Sequence, residues 1–377
     1  MSIAWLLFPM LCLALAVIGS LVARLADRAI TDRAVPVRIS ERRQETPDTV
    51  SLFLDVPAGY ADRFRHVPGQ FVTIAHRVRG RAVQRSYSLA NAPHEPLRIT
   101  VKQEPGGTLS PVLCQKVRVG DELRVLPPQG RLGDAVAPSW PRPVWLWGAG
   151  SGMVPLRAIA VEVLSHQPER QVTWVHSNRH VEDVVYAGEL AGLESEHPQQ
   201  LCTYRRLTSV SPRLTPRDVA TLVAAGVTSM TPRPGLAAEH FVCGPEGFMN
   251  AVEEGLRSAE VPAASIHREH FAASTRETHQ RTGDEVRLVV HLDEEEVDVT
   301  GDRGITIVQA LEDAGYDPPT SCRSGSCSTC LATALTGGAT MENNDFLTHA
   351  EVAEGLLLTC QALPAADVVE VDYDSVR

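Results

Sequence analysis

Cys322-Arg323-Ser324-Gly325-Ser326-Cys327-Ser328-Thr329-Cys330, followed at a distance by Cys360, is the stretch from which the rest of this 377-residue chain is read. C-x4-C-x2-C with a fourth, remote cysteine is the ligand spacing of a [2Fe–2S] centre. Three thiolates converging on two irons from one short loop require a tight curl. Gly325 and the small residues Ser324, Ser326, Ser328 and Thr329 permit it and let backbone N–H groups reach the cluster sulfurs. Structural zinc takes paired C-x2-C ligands, and only one pair here has that spacing. Disulfide frameworks suit small secreted domains rather than a chain of this kind. The pattern favours a one-electron carrier held by Cys322, Cys327, Cys330 and Cys360, and the remaining sequence must account for the source and destination of its electrons.

The length allows two or three domains with sizeable cores. A hydrophobic fraction of 44% and a charged fraction of 21% are those of an ordinary globular protein. The net charge of −11 is unevenly spread: residues from Glu285 onward carry −14, leaving about +3 for the rest. An acidic C-terminal module argues against nucleic-acid binding and suits docking on basic surfaces.

At the other end, residues 3–23 carry no charge and are apolar throughout. Roughly 20 residues at about 1.5 Å each cross a bilayer core. No basic segment precedes the run, as a cleaved secretory signal would require. Arg24, Arg28, Arg33, Arg38, Arg42 and Arg43 follow it, which by the positive-inside rule places the rest on the cytoplasmic side. Residues 1–24 are therefore expected to be a single transmembrane helix.

Residues 35–138 read as short β-branched strands (VSLFLDV, QFVTIA, LRITVK, ELRVLP) between Pro, Gly and Asp, the pattern of an antiparallel β-barrel. Two motifs stand in it. Arg85-Ser86-Tyr87-Ser88 follows Pro68-Gly69-Gln70-Phe71, and Gly106-Gly107-Thr108-Leu109-Ser110 opens a helix. Either alone reads equally well as a plain strand or turn. Together they resemble the R-x-Y-S and G-G-x-x-S elements of the ferredoxin–NADP reductase superfamily. That resemblance implies FAD, with Arg85 on the flavin phosphates, Tyr87 stacked on the isoalloxazine and Ser88 near its N5. It also implies that Gly106, Gly107, Thr108 and Ser110 approach the pyrophosphate and that Ser86 belongs to the same site.

Residues 141–272 alternate strand and helix, as in a parallel α/β layer with ligand at the carboxyl ends of its strands. Gly148-Ala149-Gly150-Ser151-Gly152 is G-x-G-x-G rather than the strict G-x-G-x-x-G fingerprint. With Pro155 it resembles the superfamily's G-x-G-x-G-x-x-P form. Val242-Cys243-Gly244-Pro245 resembles its second nucleotide element, which implies Cys243 beside the nicotinamide and Phe271 as the aromatic covering the flavin. Arg179, after the second strand, suits a 2′-phosphate, although a solvated loop arginine fits the same position. The nucleotide is left as NAD(P)H. His267 and His270 lack the H-E-x-x-H arrangement of a zinc site.

Residues 273–284 are a polar linker, and 285–377 resemble a plant-type ferredoxin of α+β, β-grasp form. The expected fold is thus multidomain: anchor, flavin barrel, α/β nucleotide domain, ferredoxin. This order is similar to the reductases of phthalate dioxygenase and phenylacetyl-CoA epoxidase systems. It differs from the benzoate dioxygenase type, where ferredoxin comes first. The resemblance implies hydride transfer from NAD(P)H to FAD, with Ser88, Cys243 and Phe271 as the catalytic residues, and single-electron transfer from the flavin to the cluster. The partner expected is an oxygenase, hydroxylase or desaturase in the membrane. A membrane NAD(P)H:quinone reductase, or a sensing module with vestigial cofactor sites, stays open as an alternative.

Overall fold

Apolar residues at every second position, with Val35, Val37 and Ile39 pointing inward, start a six-stranded antiparallel sheet. The computed structural model describes residues 34–78, 81–136, 142–226, 238–270, 280–325, 327–344 and 346–376. The sheet comprises β1 (Val35–Thr46), β2 (Thr49–Asp55), β3 (Phe71–Val78), β4 (Arg81–Ser88), β5 (Arg98–Lys102) and β6 (Glu122–Val125). Its order is β4-β3-β6-β1-β2-β5, and a bridge between Leu89 and Ile99 brings the two edges together. Ile39, Leu52, Ile74, Leu89 and Ile99 fill the inside. The helix α1 (Ser110–Gln115) adds Leu113 and Cys114 to that core.

The second unit is a parallel sheet of β7 (Val144–Ala149), β8 (Val172–Asn178), β9 (Leu201–Leu207), β10 (Glu239–Cys243) and β11 (Ile266–Glu269). Helices α2 (Met153–His166), α3 (Ala187–Glu196), α4 (Pro216–Ala225) and α5 (Glu246–Ser258) accompany it. Every residue of β7 is buried, as a parallel strand covered on both faces requires. One core joins Leu146, Leu156, Ile159 and Phe241, and the other joins Trp145, Trp147, Val219 and Met249. The order β11-β10-β7-β8-β9 reverses direction between β7 and β10. Ligands of such sheets bind at that switch point, beyond the carboxyl ends of the strands.

The third unit contains β12 (Glu285–Leu292), β13 (Glu295–Asp302), α6 (Ile307–Asp313), β14 (Leu331–Thr336), β15 (Ala339–Met341), α7 (His349–Ala353), β16 (Leu356–Leu358), β17 (Ala362–Pro364) and β18 (Val368–Asp372). The main sheet runs β13-β12-β18-β14-β16 with β12 and β18 parallel, and β15 pairs with β17. Ile307 and Leu311 of α6 pack on Leu288, Val290 and Val371.

Residues 1–33, with the expected anchor, and Phe271, the expected flavin cover, lie outside the described residues. Among the described residues no helix is long and apolar enough to cross a membrane.

Candidate redox site

At the switch point the two glycine elements meet backbone to backbone. A Cβ on Gly152 would lie 2.0 Å from the Cys243 carbonyl oxygen, so only glycine lets the turn after β7 abut the end of β10. Gly150 takes φ +55° with open space beside it, and Gly148 leaves room for the Met153 side chain. Gly244 sits against Ala149, and Pro245 caps α5. The result is a glycine-lined turn at the carboxyl ends of β7 and β10, the place where sheets of this order take their ligands. Arg179 is exposed just beyond β8.

Cys243 is fully buried at the end of β10, and burial, followed by the nearby Glu269 charge, pushes its thiol well above the ordinary range. It is therefore a neutral thiol. Its partner across the parallel ladder is Glu269, at the end of β11. The Ser88 hydroxyl donates to Glu269 Oε2 at 3.1 Å, joining the end of barrel strand β4 to the nucleotide sheet. Burial raises the Glu269 carboxyl to about 8, the Ser88 hydrogen bond opposes it, and Cys322 pushes it further up. The sequence motifs do not single out Glu269. The available signal was an acidic residue closing a strand at the ligand end of a parallel sheet.

Strand β4 pairs with β3 along its length, placing Ser88 opposite Phe71 and Arg85 opposite Ile74. Arg85 is exposed and, among the described residues, faces no carboxylate. Such a guanidinium, with donors to spare, suits phosphate. Tyr87 is half-buried, and burial keeps its phenol protonated. Gly107 has no room for a Cβ, which would touch Ser110 Oγ at 2.8 Å, and that hydroxyl accepts from the Glu104 N–H at 3.0 Å. Gly106 takes φ +73° with nothing near it, and Thr108 lies between it and α1. Ser86 faces elsewhere: its N–H donates to Ser321 Oγ at 3.0 Å and its hydroxyl meets Thr73 and Ser321. In this structure Ser86 holds the cysteine loop against the barrel.

Cys322, Cys327, Cys330 and Cys360 are all buried. The Ser324 N–H donates to Cys322 Sγ at 3.5 Å, and Cys327 Sγ lies 3.4 Å from Thr329 Oγ1. Four buried free thiols with no disulfide among them are the donor set of a thiolate-held iron–sulfur cluster. The curl uses two left-handed residues, Arg323 at φ +54° and Gly325 at φ +76°. Arg323 is held there by ion pairing with Glu312, and its carbonyl accepts from Gln361 Nε2 at 2.8 Å. Thr359 Oγ1 donates to the Cys330 carbonyl at 2.8 Å and accepts from the Tyr373 hydroxyl at 2.7 Å. Phe71 of the barrel packs directly on Cys322 and Cys327. Ser328 donates to Gln129, and Arg131 pairs with Glu351, completing the contact.

Of the other cysteines, Cys114 is a buried core residue, whereas Cys202 is only half-buried on edge strand β9. His267 Nε2 donates to Glu239 Oε2 at 2.8 Å, and its ring stacks on Phe241.

Residues 36–133 match the oxidoreductase FAD-binding domain, 146–254 the oxidoreductase NAD-binding domain and 290–365 the 2Fe-2S iron-sulfur cluster binding domain. The ferredoxin reductase component of 3-ketosteroid-9-alpha-monooxygenase from Mycolicibacterium smegmatis is 34% identical over 367 residues, covering 93% of this chain and 100% of that protein. One subunit of the 1,2-phenylacetyl-CoA epoxidase of Escherichia coli is 31% identical, covering 89% of this chain and 97% of that protein. Phthalate dioxygenase reductase superposes with a TM-score of 0.56 at 19% identity, covering 90% of this chain and 98% of that one.

Proposed function

The chain belongs to the family of oxygenase reductase components that join an FAD-binding, an NAD-binding and a 2Fe-2S domain, and we propose that it feeds single electrons from NAD(P)H to a terminal oxygenase. When bound, the nicotinamide supplies a hydride, the flavin accepts two electrons together and releases them singly, and the cluster carries them one at a time.

The protein's part is alignment and exclusion of water. Gly150, Ser151, Gly152, Gly244 and Pro245 form the cradle assigned to the nucleotide pyrophosphate. Arg85, Gly106, Gly107, Thr108 and Ser110 are assigned to the flavin phosphates, and Tyr87 to its ring face. Ser88 and Glu269 hold a proton between them where the barrel meets β11, and Cys243 adds a neutral buried wall. Cys322, Cys327, Cys330 and Cys360 are assigned to the irons. The observation that carries the proposal is the packing of Phe71, which lies opposite Ser88 in the β3–β4 ladder, on Cys322 and Cys327. The flavin motif and the cysteine loop thus share one wall of the barrel.

The test is anaerobic rapid mixing with NADH or NADPH. In Cys327→Ser, flavin bleaching is expected to proceed at the wild-type rate while reduction of the terminal oxygenase is lost. A terminal oxygenase reduced equally fast by this variant overturns the proposal. We further assign residues 1–24 to membrane anchoring, which would raise the encounter rate with an acceptor in the same plane. A protein beginning at Val35 that supports the partner equally well at equal dilution removes that part.

A further inference from the structure

Away from the redox path, His94, Glu162 and His166 bring one ligating atom each within 4.8 Å of the others. Glu162 and His166 are four residues apart on α2 and so share one helix face. His94 comes from the loop between β4 and β5, so the cluster joins the barrel to the nucleotide domain. His166 Nδ1 lies 3.3 Å from Glu162 Oε1, and His94 Nδ1 lies 3.6 Å from Glu162 Oε2. The two rings meet edge to face at 78°, with centroids 4.8 Å apart, so both nitrogens can face the carboxylate without stacking.

Those separations are too long for imidazolium–carboxylate hydrogen bonds, which run to about 2.7–2.9 Å. Glu162 Oε2 is buried and accepts no hydrogen bond among the described residues. A desolvated carboxylate oxygen with no hydrogen-bond donor calls for a positive charge beside it. Ligand atoms bound at about 2.0–2.2 Å to a tetrahedral ion lie about 3.3–3.6 Å from one another, and the three ligand atoms here, all within 4.8 Å, need only a small side-chain adjustment to reach that spacing. The frame is already rigid, because Arg157 on α2 makes a fork to Glu95, the neighbour of His94, at 2.7 and 2.9 Å. His94 and His166 remain partly exposed, which leaves an entry path and an open coordination position.

We propose that His94, Glu162 and His166 bind one divalent transition-metal ion of the zinc class and that this ion clamps the FAD-binding domain to the NAD-binding domain. Two nitrogens and one carboxylate favour zinc over magnesium or calcium, which prefer all-oxygen sites.

The test uses holoprotein with flavin and cluster in place, freed of loose metal on a chelating resin, titrated with zinc chloride by calorimetry and by thermal melt. One equivalent is expected to bind at micromolar concentration with a rise in melting temperature, while the iron content stays constant. His94→Gln and His166→Gln are each expected to weaken binding by at least about tenfold, the loss already seen for outer-shell partners of metal sites. Both lie at the surface, so flavin absorbance and the metal-free melting temperature should match wild type. No uptake by the wild-type protein, or undiminished uptake by either variant, overturns the proposal.

Discussion

Replacing Glu189 by glutamine asks whether charge docks the barrel on the nucleotide domain. Glu189 lies in the first turn of α3, where the helix dipole favours a carboxylate. Its Oε1 accepts from Arg98 at 2.8 Å and Arg43 at 3.1 Å, both on barrel strands, and its Oε2 accepts from Arg157 of α2 at 2.6 Å. The Arg98 and Arg157 side chains are only 3% and 9% exposed. Burial alone would raise the Glu189 pKa, but Arg157 and Arg98 outweigh it and hold it below the usual glutamate value. An amide must turn its N–H₂ toward one of these cations. Stranding a buried charge costs about 3–5 kcal/mol. Here Arg98 keeps Glu45 at 2.7 Å and Arg157 keeps Glu95, so the stranding is partial. The expected loss is about 2–3 kcal/mol, that of one or two charge-assisted hydrogen bonds. At about 2–4 °C per kcal/mol for a unit of this size, the melting temperature should fall by roughly 5–10 °C. Glu41→Gln is the control, since the Glu41–Arg43 pair is half-exposed and such pairs contribute at most about 1 kcal/mol. Glu95 is likewise held low, burial being outweighed by Arg157. Depressed carboxylates stabilise above their unfolded pKa and lose that contribution as pH falls through the folded one, so the gap between wild type and Glu189→Gln should close below about pH 4. If scanning calorimetry at neutral pH places Glu189→Gln within about 2 °C of Glu41→Gln, the network does not dock the domains.

Gly152→Ala forces a Cβ to within 2.0 Å of the Cys243 carbonyl oxygen, and neither backbone can yield cheaply. The NAD(P)H KM should rise roughly tenfold or more, as about 1–3 kcal/mol of overpacking separates the two glycine elements, with flavin content unchanged. An unaltered KM would show that these elements do not form the nucleotide cradle. Glu269 carries a raised folded pKa of about 8 against an ordinary 4.5, so the native state holds a proton that the unfolded chain releases between those values. Stability then falls as pH rises across that window. Wild-type melting temperature should drop between pH 6 and 9 while Glu269→Gln stays flatter; parallel curves would refute a buried neutral carboxyl.

The cysteine spacing, the R-x-Y-S and glycine motifs and the strand runs around them were all legible in the chain before any folding was considered. Each is local. A ligand loop or a phosphate cradle is dictated by covalent reach and by which residues tolerate a left-handed backbone, as at Gly325. Helix α4 carries local signals too, the Thr215–Asp218 capping box and the apolar Val219, Leu222 and Val223 on one face. What folding alone decided is who meets whom across domains. Ser88 and Glu269 stand 181 residues apart, and Ser86 and Ser321 stand 235 apart. Phe71 on the cysteine loop and His94 beside α2 arise in the same way. These contacts follow from the burial of whole faces and the pairing of Arg98, Arg157, Glu95 and Glu189. That docking free energy belongs to surfaces assembled from many distant residues, and no short stretch of sequence carries it.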